Sequence, residues 1–401
     1  MRCFDCVAQI RRNAPPMLAS CALLRLNDRG EAQRPYNLIR RLKADDRVGK
    51  SIDSTANSQS GRVAELTLSM AGLDEPHGIA MIKTGLYRLE QLSSSAKTRG
   101  FFGGTRRISI TLYEKLDGMK EAQEWAEQIL FGYCDARGIY KRTYASRFDQ
   151  FDDMAIDCLG REFPASRTLT MHDVGVSDAR TACDLFHKLA ARFPHLNYYA
   201  SDYEPSLMVL RSGKGRTVVT LNKKGEAIEI VVPPFVFNLI KPENFLLYPV
   251  NYAFFLFARA TALRRTLAKY RAGKIKPSPL VLFCPAARDL AASDSRFHLL
   301  EYDLLKPHTL PCRVDVVRVM NVLNSSYFDP QQLSIAVGHI FESLAIGGLL
   351  IVGSNDAAGS EVRGGIYRKL GQGFQELAKS GADHDAHRTI VGFAATQRDG
   401  V

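Results

Sequence analysis

Residues 168–186 read Thr-Leu-Thr-Met-His-Asp-Val-Gly-Val-Ser-Asp-Ala-Arg-Thr-Ala-Cys-Asp-Leu-Phe, and they hold groups suited to gripping a small polar ligand. A short apolar strand leads to Asp173, a tight turn follows at Gly175, and Ser177 or Asp178 opens an amphipathic helix. Glycine in that turn lets the backbone approach a ligand, because a side chain would fill the ligand's volume. The helix start adds free amides and the positive end of the helix dipole. Asp202 follows Asn197-Tyr-Tyr-Ala-Ser at the end of a second strand. A carboxylate there can accept both hydroxyls of a ribose. Its plainer role, with Pro205 close by, is a helix N-cap.

A third acid, Asp303, closes Phe297-His-Leu-Leu-Glu-Tyr, and the run Leu344-Ala-Ile-Gly-Gly-Leu-Leu-Ile-Val-Gly comes later. This ordered set resembles the class I S-adenosylmethionine (SAM) dependent methyltransferases over roughly residues 165–395. The resemblance implies SAM as cofactor. It sets Asp173 to receive the ligand ammonium or a turn amide, and Gly175, Ser177 and Asp178 beside the aminocarboxylate. Asp202 would hold the ribose, Asp303 the adenine amino group, and Leu304 would wall the adenine. The family's commoner turn has glycine where Ser177 and Ala179 stand. Gly-x-Ser-x-Ala is closer to the turn of the chemotaxis-receptor methyltransferases, as is Arg318-Val-Met-Asn-Val with the aromatic pair Tyr327-Phe328 behind it. In such a fold the end of the fourth strand faces the transferred methyl group, which makes Asn321, Asn324 and Tyr327 the candidates for binding the acceptor. Arg318, within that strand, would bind an acidic acceptor or pair with Asp315.

The elements that must position these residues alternate as in a parallel sheet. Strands are expected near 169–174, 197–201, 297–302, 314–320 and 348–353, and helices near 178–192, 250–271 and 331–345. Gly364-Gly-Ile-Tyr-Arg-Lys and Arg388-Thr-Ile-Val-Gly-Phe supply two closing strands, the last antiparallel to the rest. The expected fold is therefore α/β: a Rossmann-like class I methyltransferase sheet over residues 166–401, mostly parallel, with an antiparallel last strand. An insertion at 206–285 carries a hairpin signal around Asn222-Lys-Lys-Gly-Glu. Residues 71–165 read as a helical lead-in, with Ala122, Trp125, Ile129 and either Leu130 or Phe131 near one face. That lead-in is placed to pack on the catalytic domain and close over its ligand. Residues 1–70, with Pro15-Pro16 and the polar tract Ser51–Gly61, read as a disordered basic leader, a transit peptide or an over-extended start.

Charge and cysteines narrow the function further. The chain of 401 residues carries a formal net charge of +11, and more than half the excess lies in the first fifty residues. No basic strand interleaved with aromatics accompanies it, so the nucleic-acid signal is weak. No apolar run reaches the ~20 residues of a membrane span. Phe245–Ala258 comes nearest, interrupted by Pro249 and Asn251, and reads as a buried helix entry or pocket wall, with membrane contact the lesser reading. The eight cysteines include a single C-x-x-C, Cys3 and Cys6, which suits free thiols in a reducing cytoplasm. Asp383-His-Asp-Ala-His387 has metal-like spacing but reads as a polar surface loop, and His172 as a core or pocket residue.

The leading expectation is a SAM-dependent methyltransferase with an unidentified acceptor. In-line methyl transfer draws its acceleration from alignment, so it does not require a dedicated base. Two alternatives stand beside it. One is an inactive methyltransferase fold serving as a binding or assembly module. The other is a dinucleotide-dependent oxidoreductase, which the missing three-glycine fingerprint disfavours.

Overall fold

A computed structural model describes residues 82–93, 106–119, 122–133, 135–139, 141, 147–242, 248–307, 310–355 and 361–394. The chain divides into Met1–Pro76 and His77–Val401. The leader expected over 1–70 lies outside the described residues, all of which belong to the second unit.

The lead-in supplies α1 (Leu89–Ser93), a 3-10 turn (Ile110–Lys115), α2 (Ala122–Phe131) and α3 (Asp149–Glu162). In α2 the inward face is Trp125, Ala126, Ile129 and Leu130, while Phe131 points outward. Then come β1 (Leu169–Val174), α4 (Arg180–Arg192) and β2 (Leu196–Asp202). Helix α4 begins later than Ser177 or Asp178: Ala179 holds the cap position with a left-handed backbone, and the Asp178 carboxylate accepts from the Arg180 amide.

The inserted segment is larger than a hairpin. It builds β3 (Ser206–Ser212), β4 (Thr217–Leu221), β5 (Ala227–Val232), β6 (Phe235–Asn238) and β7 (Ser278–Val281), an antiparallel sheet in the order β6-β5-β4-β3-β7. Between β6 and β7 run α5 (Pro249–Ala258), a π-helical turn (Arg259–Leu263) and α6 (Arg264–Arg271). Strict alternation, as in Leu207, Val209 against Leu210, Val219, gives this sheet two apolar faces. One packs on Leu112, Trp125 and Ile129 of the lead-in, the other on Phe255 and Leu263. The first part of the lead-in thus packs on the insertion, while α3 buries Phe151, Ala155 and Leu159 against the main sheet.

The chain returns through α7 (Pro285–Ser293), β8 (Phe297–Glu301), β9 (Val314–Met320), α8 (Pro330–Ser343), β10 (Leu344–Ser354), β11 (Arg363–Lys369), β12 (Phe374–Ser380) and α9 (His387–Val391). The main sheet runs β12-β11-β10-β9-β1-β2-β8, parallel from β8 to β10. All seven residues of β9 are buried, as expected where helices cover both faces of a sheet. Helix α8 starts with a capping box between Asp329 and Gln332. This is the expected Rossmann-like α/β architecture, with a mostly parallel sheet. Its closing pair differs in detail. The antiparallel strand is β11, the next to last, and the edge strand β12 pairs antiparallel with β11. Residues 388–393 do not form a strand: Phe374–Ser380 takes the edge, where one exposed row suffices, and α9 packs Ile390 into the core.

Candidate functional site

A cavity of about 70 Å³ opens at the carboxyl ends of β1, β2 and β9, and its wall includes Asp173, Gly175, Ser177, Asp202, Arg318 and Asn321. Parallel strands all end on one edge there, so their side chains and the following turns converge. The turn after β1 is left-handed at three alternate residues: Gly175 (φ 76°), Ser177 (φ 59°) and Ala179 (φ 64°). Its backbone has the shape of a glycine-rich turn although Ser177 and Ala179 stand at two of the three left-handed positions, at roughly 1–2 kcal/mol of strain each. Gly175 is still required, since a Cβ would lie 2.3 Å from Cγ2 of Val322.

Asp202 is buried and fully engaged. Its Oδ2 accepts from the Ser177 amide at 2.8 Å, its Oδ1 accepts from the Glu204 amide at 2.9 Å, and the buried Lys141 ammonium donates to it. Arg137 pairs with Asp303 in the same way. Arg137, in the turn at 135–139, and Lys141 thus place cations on both acids that the resemblance sets aside for ribose and adenine. The turn is anchored by Glu204, which accepts from Tyr133 Oη and from the Ala136 amide. Asp135 shapes the turn by accepting from the amides of Arg137 and Ile139, while burial raises its carboxyl above the usual range. Arg137 also lies 4.0 Å above the Tyr203 ring, and Lys223 of the insertion lies 3.7 Å from the same ring.

Arg318 forms the floor. It is 2% exposed, donates to both oxygens of Asp152 and of Asp173, and Asp173 also accepts from Tyr198 Oη at 2.6 Å. Burial works against its charge, but Asp152 and Asp173 outweigh it and hold the guanidinium protonated. The expected pairing with Asp315 does not occur. Asp315 lies at the opposite end of β9 and pairs with Arg167.

The cavity therefore gathers Asp173, Gly175, Ser177, Asp202 and Asn321 from among the expected residues. Asp178 faces away, accepting from Tyr113 Oη and pairing with Arg180; Leu304 is packed in the core beneath α8; Asp303 lies past the end of β8, outside the cavity wall. Asn321, left-handed at φ 59°, ties the ends of β9 and β10 together. Its Oδ1 accepts from the Asn355 amide at 2.8 Å, and its Nδ2 donates to Asn355 Oδ1 at 3.0 Å. Asn324 forms a local turn with Ser326, and Tyr327 packs against the core; neither lines the cavity. His172 is a core residue bonded to Ser201 Oγ. His384 and His387 meet at Tyr367 Oη, and among the described residues no acidic, histidine or cysteine group is arranged for a metal. Lys141, Arg137, Asp152 and Arg147 carry no signal in the sequence that would single them out. They sit on irregular or helical segments with no motif around them.

No family model and no curated protein matches this chain. Among solved structures it is similar to an O-methyltransferase family protein from Burkholderia thailandensis, at 14% identity over 60% of this chain and 44% of that one, TM-score 0.24. It is also similar to the N-methyltransferase NodS from Bradyrhizobium japonicum, at 14% over 58% and 71%, TM-score 0.26. A third likeness is an amino pentose methyltransferase from Micromonospora echinaspora, at 12% over 61% and 82%, TM-score 0.26. The chain spans 44% of the length of the first two structures it matches, a pyocyanin biosynthetic protein and the Burkholderia protein.

Proposed function

We propose that this chain is a SAM-dependent methyltransferase acting on an acidic acceptor. The observation that carries the reading is the meeting, in one cavity, of the triply left-handed turn after β1 with the carboxylate of Asp202. The donor set fits the cofactor chemically. Asp202 would hold the ribose hydroxyls, and the turn would take the ammonium of the ligand on the Gly175 carbonyl, since the amides of Gly175, Val176 and Ser177 already donate to the Ser201 carbonyl and to Asp202. SAM supplies the electrophilic methyl group when bound. Asn321 lies on the acceptor side of the same cavity, and Arg147 in the wall is a cation suited to an acidic acceptor. Asn324 and Tyr327 belong to the loop that frames that side.

Space is the condition. Small-molecule sites enclose roughly 300–1,000 Å³, against about 70 Å³ here. Asp202 is released to a ligand only when Lys141 leaves it, so Lys141 and the turn at 135–139 must withdraw. That same plug favours a second reading, a methyltransferase fold kept closed as a binding or assembly module. Calorimetry with SAM and with its demethylated product distinguishes the two. Micromolar binding by the wild type, weakened about tenfold or more in Asp202→Ala and strengthened in Lys141→Ala, supports the enzyme. Absence of binding in both the wild type and Lys141→Ala leaves the closed module.

A further inference from the structure

Helix α5 has the sequence Pro-Val-Asn-Tyr-Ala-Phe-Phe-Leu-Phe-Ala, without a charged residue. It buries Phe255 and Ala258 against the inserted sheet, and its buried Asn251 side chain bonds the backbone of Lys83. A helix lying on a domain ordinarily turns polar residues outward. This one turns out Phe254, Leu256 and Phe257, which are 46%, 46% and 66% exposed. Single exposed apolar side chains are common, but three large ones within four residues form a patch.

The chain then continues without a break through the π-helical turn into α6, and the character of the surface reverses. Arg259, Arg264, Arg265, Lys269 and Arg271 are all exposed, and no acidic residue occurs anywhere from Asn244 to Arg288. A continuous helical rod thus has an apolar first half and a cationic second half with no internal counter-charge. Leu256 has no ring to stack on a base, and the Phe254 ring already stacks on Phe235 at 4.9 Å. That argues against single-stranded nucleic acid, which is held by stacking on aromatic faces. Apolar side chains entering the acyl boundary beside arginines and lysines at the headgroups describe a helix lying in a lipid interface. Each such cation adds attraction to anionic headgroups. No described helix is long and apolar enough to cross a membrane.

We propose that α5 and α6 form a docking surface for an anionic lipid bilayer, with Phe254, Leu256 and Phe257 entering the interface and the α6 cations engaging phosphate headgroups. This surface is separate from the cavity at the strand ends and does not depend on what that cavity binds.

The test is co-sedimentation of the full chain with vesicles of phosphatidylcholine mixed with phosphatidylglycerol, against phosphatidylcholine alone. Binding to the anionic vesicles alone, weakened by added salt, is expected. Phe257→Ser should weaken it about tenfold or more, from the apolar area lost, and Arg264→Glu combined with Arg265→Glu should abolish it. All these side chains are exposed, so unchanged melting temperatures confirm that the variants fold. Equal binding to both vesicle types, or undiminished binding by Phe257→Ser, overturns the proposal. So does a dimer in sedimentation velocity that Phe257→Ser dissociates in the absence of lipid, since the patch would then serve a second copy. Tight duplex-DNA binding that Arg264→Glu destroys and Phe257→Ser preserves would assign the cations to nucleic acid and likewise overturns it.

Discussion

The two sheets of this protein solve burial in opposite ways. The inserted antiparallel sheet is nearly free of charge: both faces meet apolar clusters, and Glu229 is the one acid buried within its strands. The carboxyl edge of the parallel sheet is crowded with buried charge, where Asp152, Asp173 and Arg318 adjoin Asp202 and Lys141. Buried ion pairs seldom stabilise relative to apolar packing, because desolvation offsets their attraction. Their concentration at one edge marks where the fold gives up stability for a polar site, while the insertion and lead-in supply plain hydrophobic support.

The strongest way to break this contrast is to remove the central cation. Arg318→Met would leave Asp152 and Asp173 buried together without their shared cation and should cost about 3–5 kcal/mol, read as a lower urea midpoint. A cost below that of an ordinary surface substitution would show that the edge is not held by its charges.

Titration should separate the two sheets by sign. Burial pushes the Glu229 carboxyl up to about 7, against the pull of its bonds from Ser109 Oγ and the Ile110 amide. The folded state then keeps a proton that the unfolded chain loses near pH ~4.5. Stability from this site is therefore full below that value and lost as pH rises through 7, a change on the order of 3 kcal/mol. His384, bonded to Tyr367 Oη beside β11, is instead lowered to about 4 by burial and by the nearby His387. Its contribution is full above the unfolded value near pH ~6.5 and is lost as pH falls through 4, with a similar size. Denaturation curves across pH should lose the first slope in Glu229→Gln and the second in His384→Gln, each without altering the other.

A smaller effect sharpens the picture at Asn321. Asn321→Ala loses two side-chain bonds to Asn355 and forces alanine into a left-handed backbone, about 2 kcal/mol or more in all. Asn321→Gly keeps the backbone relaxed and should cost about 1 kcal/mol less. Equal melting temperatures for the two variants would remove the backbone part of the argument.

The parallel sheet was legible in the sequence because its strands are continuous apolar runs, such as Val314–Met320, separated by helices with clear periods. Asp173, Gly175 and Asp202 were legible because they end strands, where position in the chain fixes position in the fold. The plug was not. Lys141 and Arg137 lie in an irregular turn whose placement depends on Glu204 and Tyr133, partners about seventy residues apart in sequence. The second sheet was half visible: the β4–β5 hairpin shows at Asn222-Lys-Lys-Gly, but β6 and β7 are four residues each, too short for alternation to register. Arg318 misled because charge along a strand says nothing about which face or end meets an acid.

The turn after β1 carries one more implication. Its left-handed shape survives at Ser177 and Ala179, residues that do not choose it by themselves, so the instruction comes from outside the turn: from Ser201, whose carbonyl accepts from the amides of Gly175 and Val176, and from Asp202, which holds the Ser177 amide. The second strand thus acts as a mould for the first loop. A peptide spanning residues 169–186 alone should lack this conformation, and sequence drift at 177 and 179 leaves the cavity-facing backbone in place for as long as the mould endures.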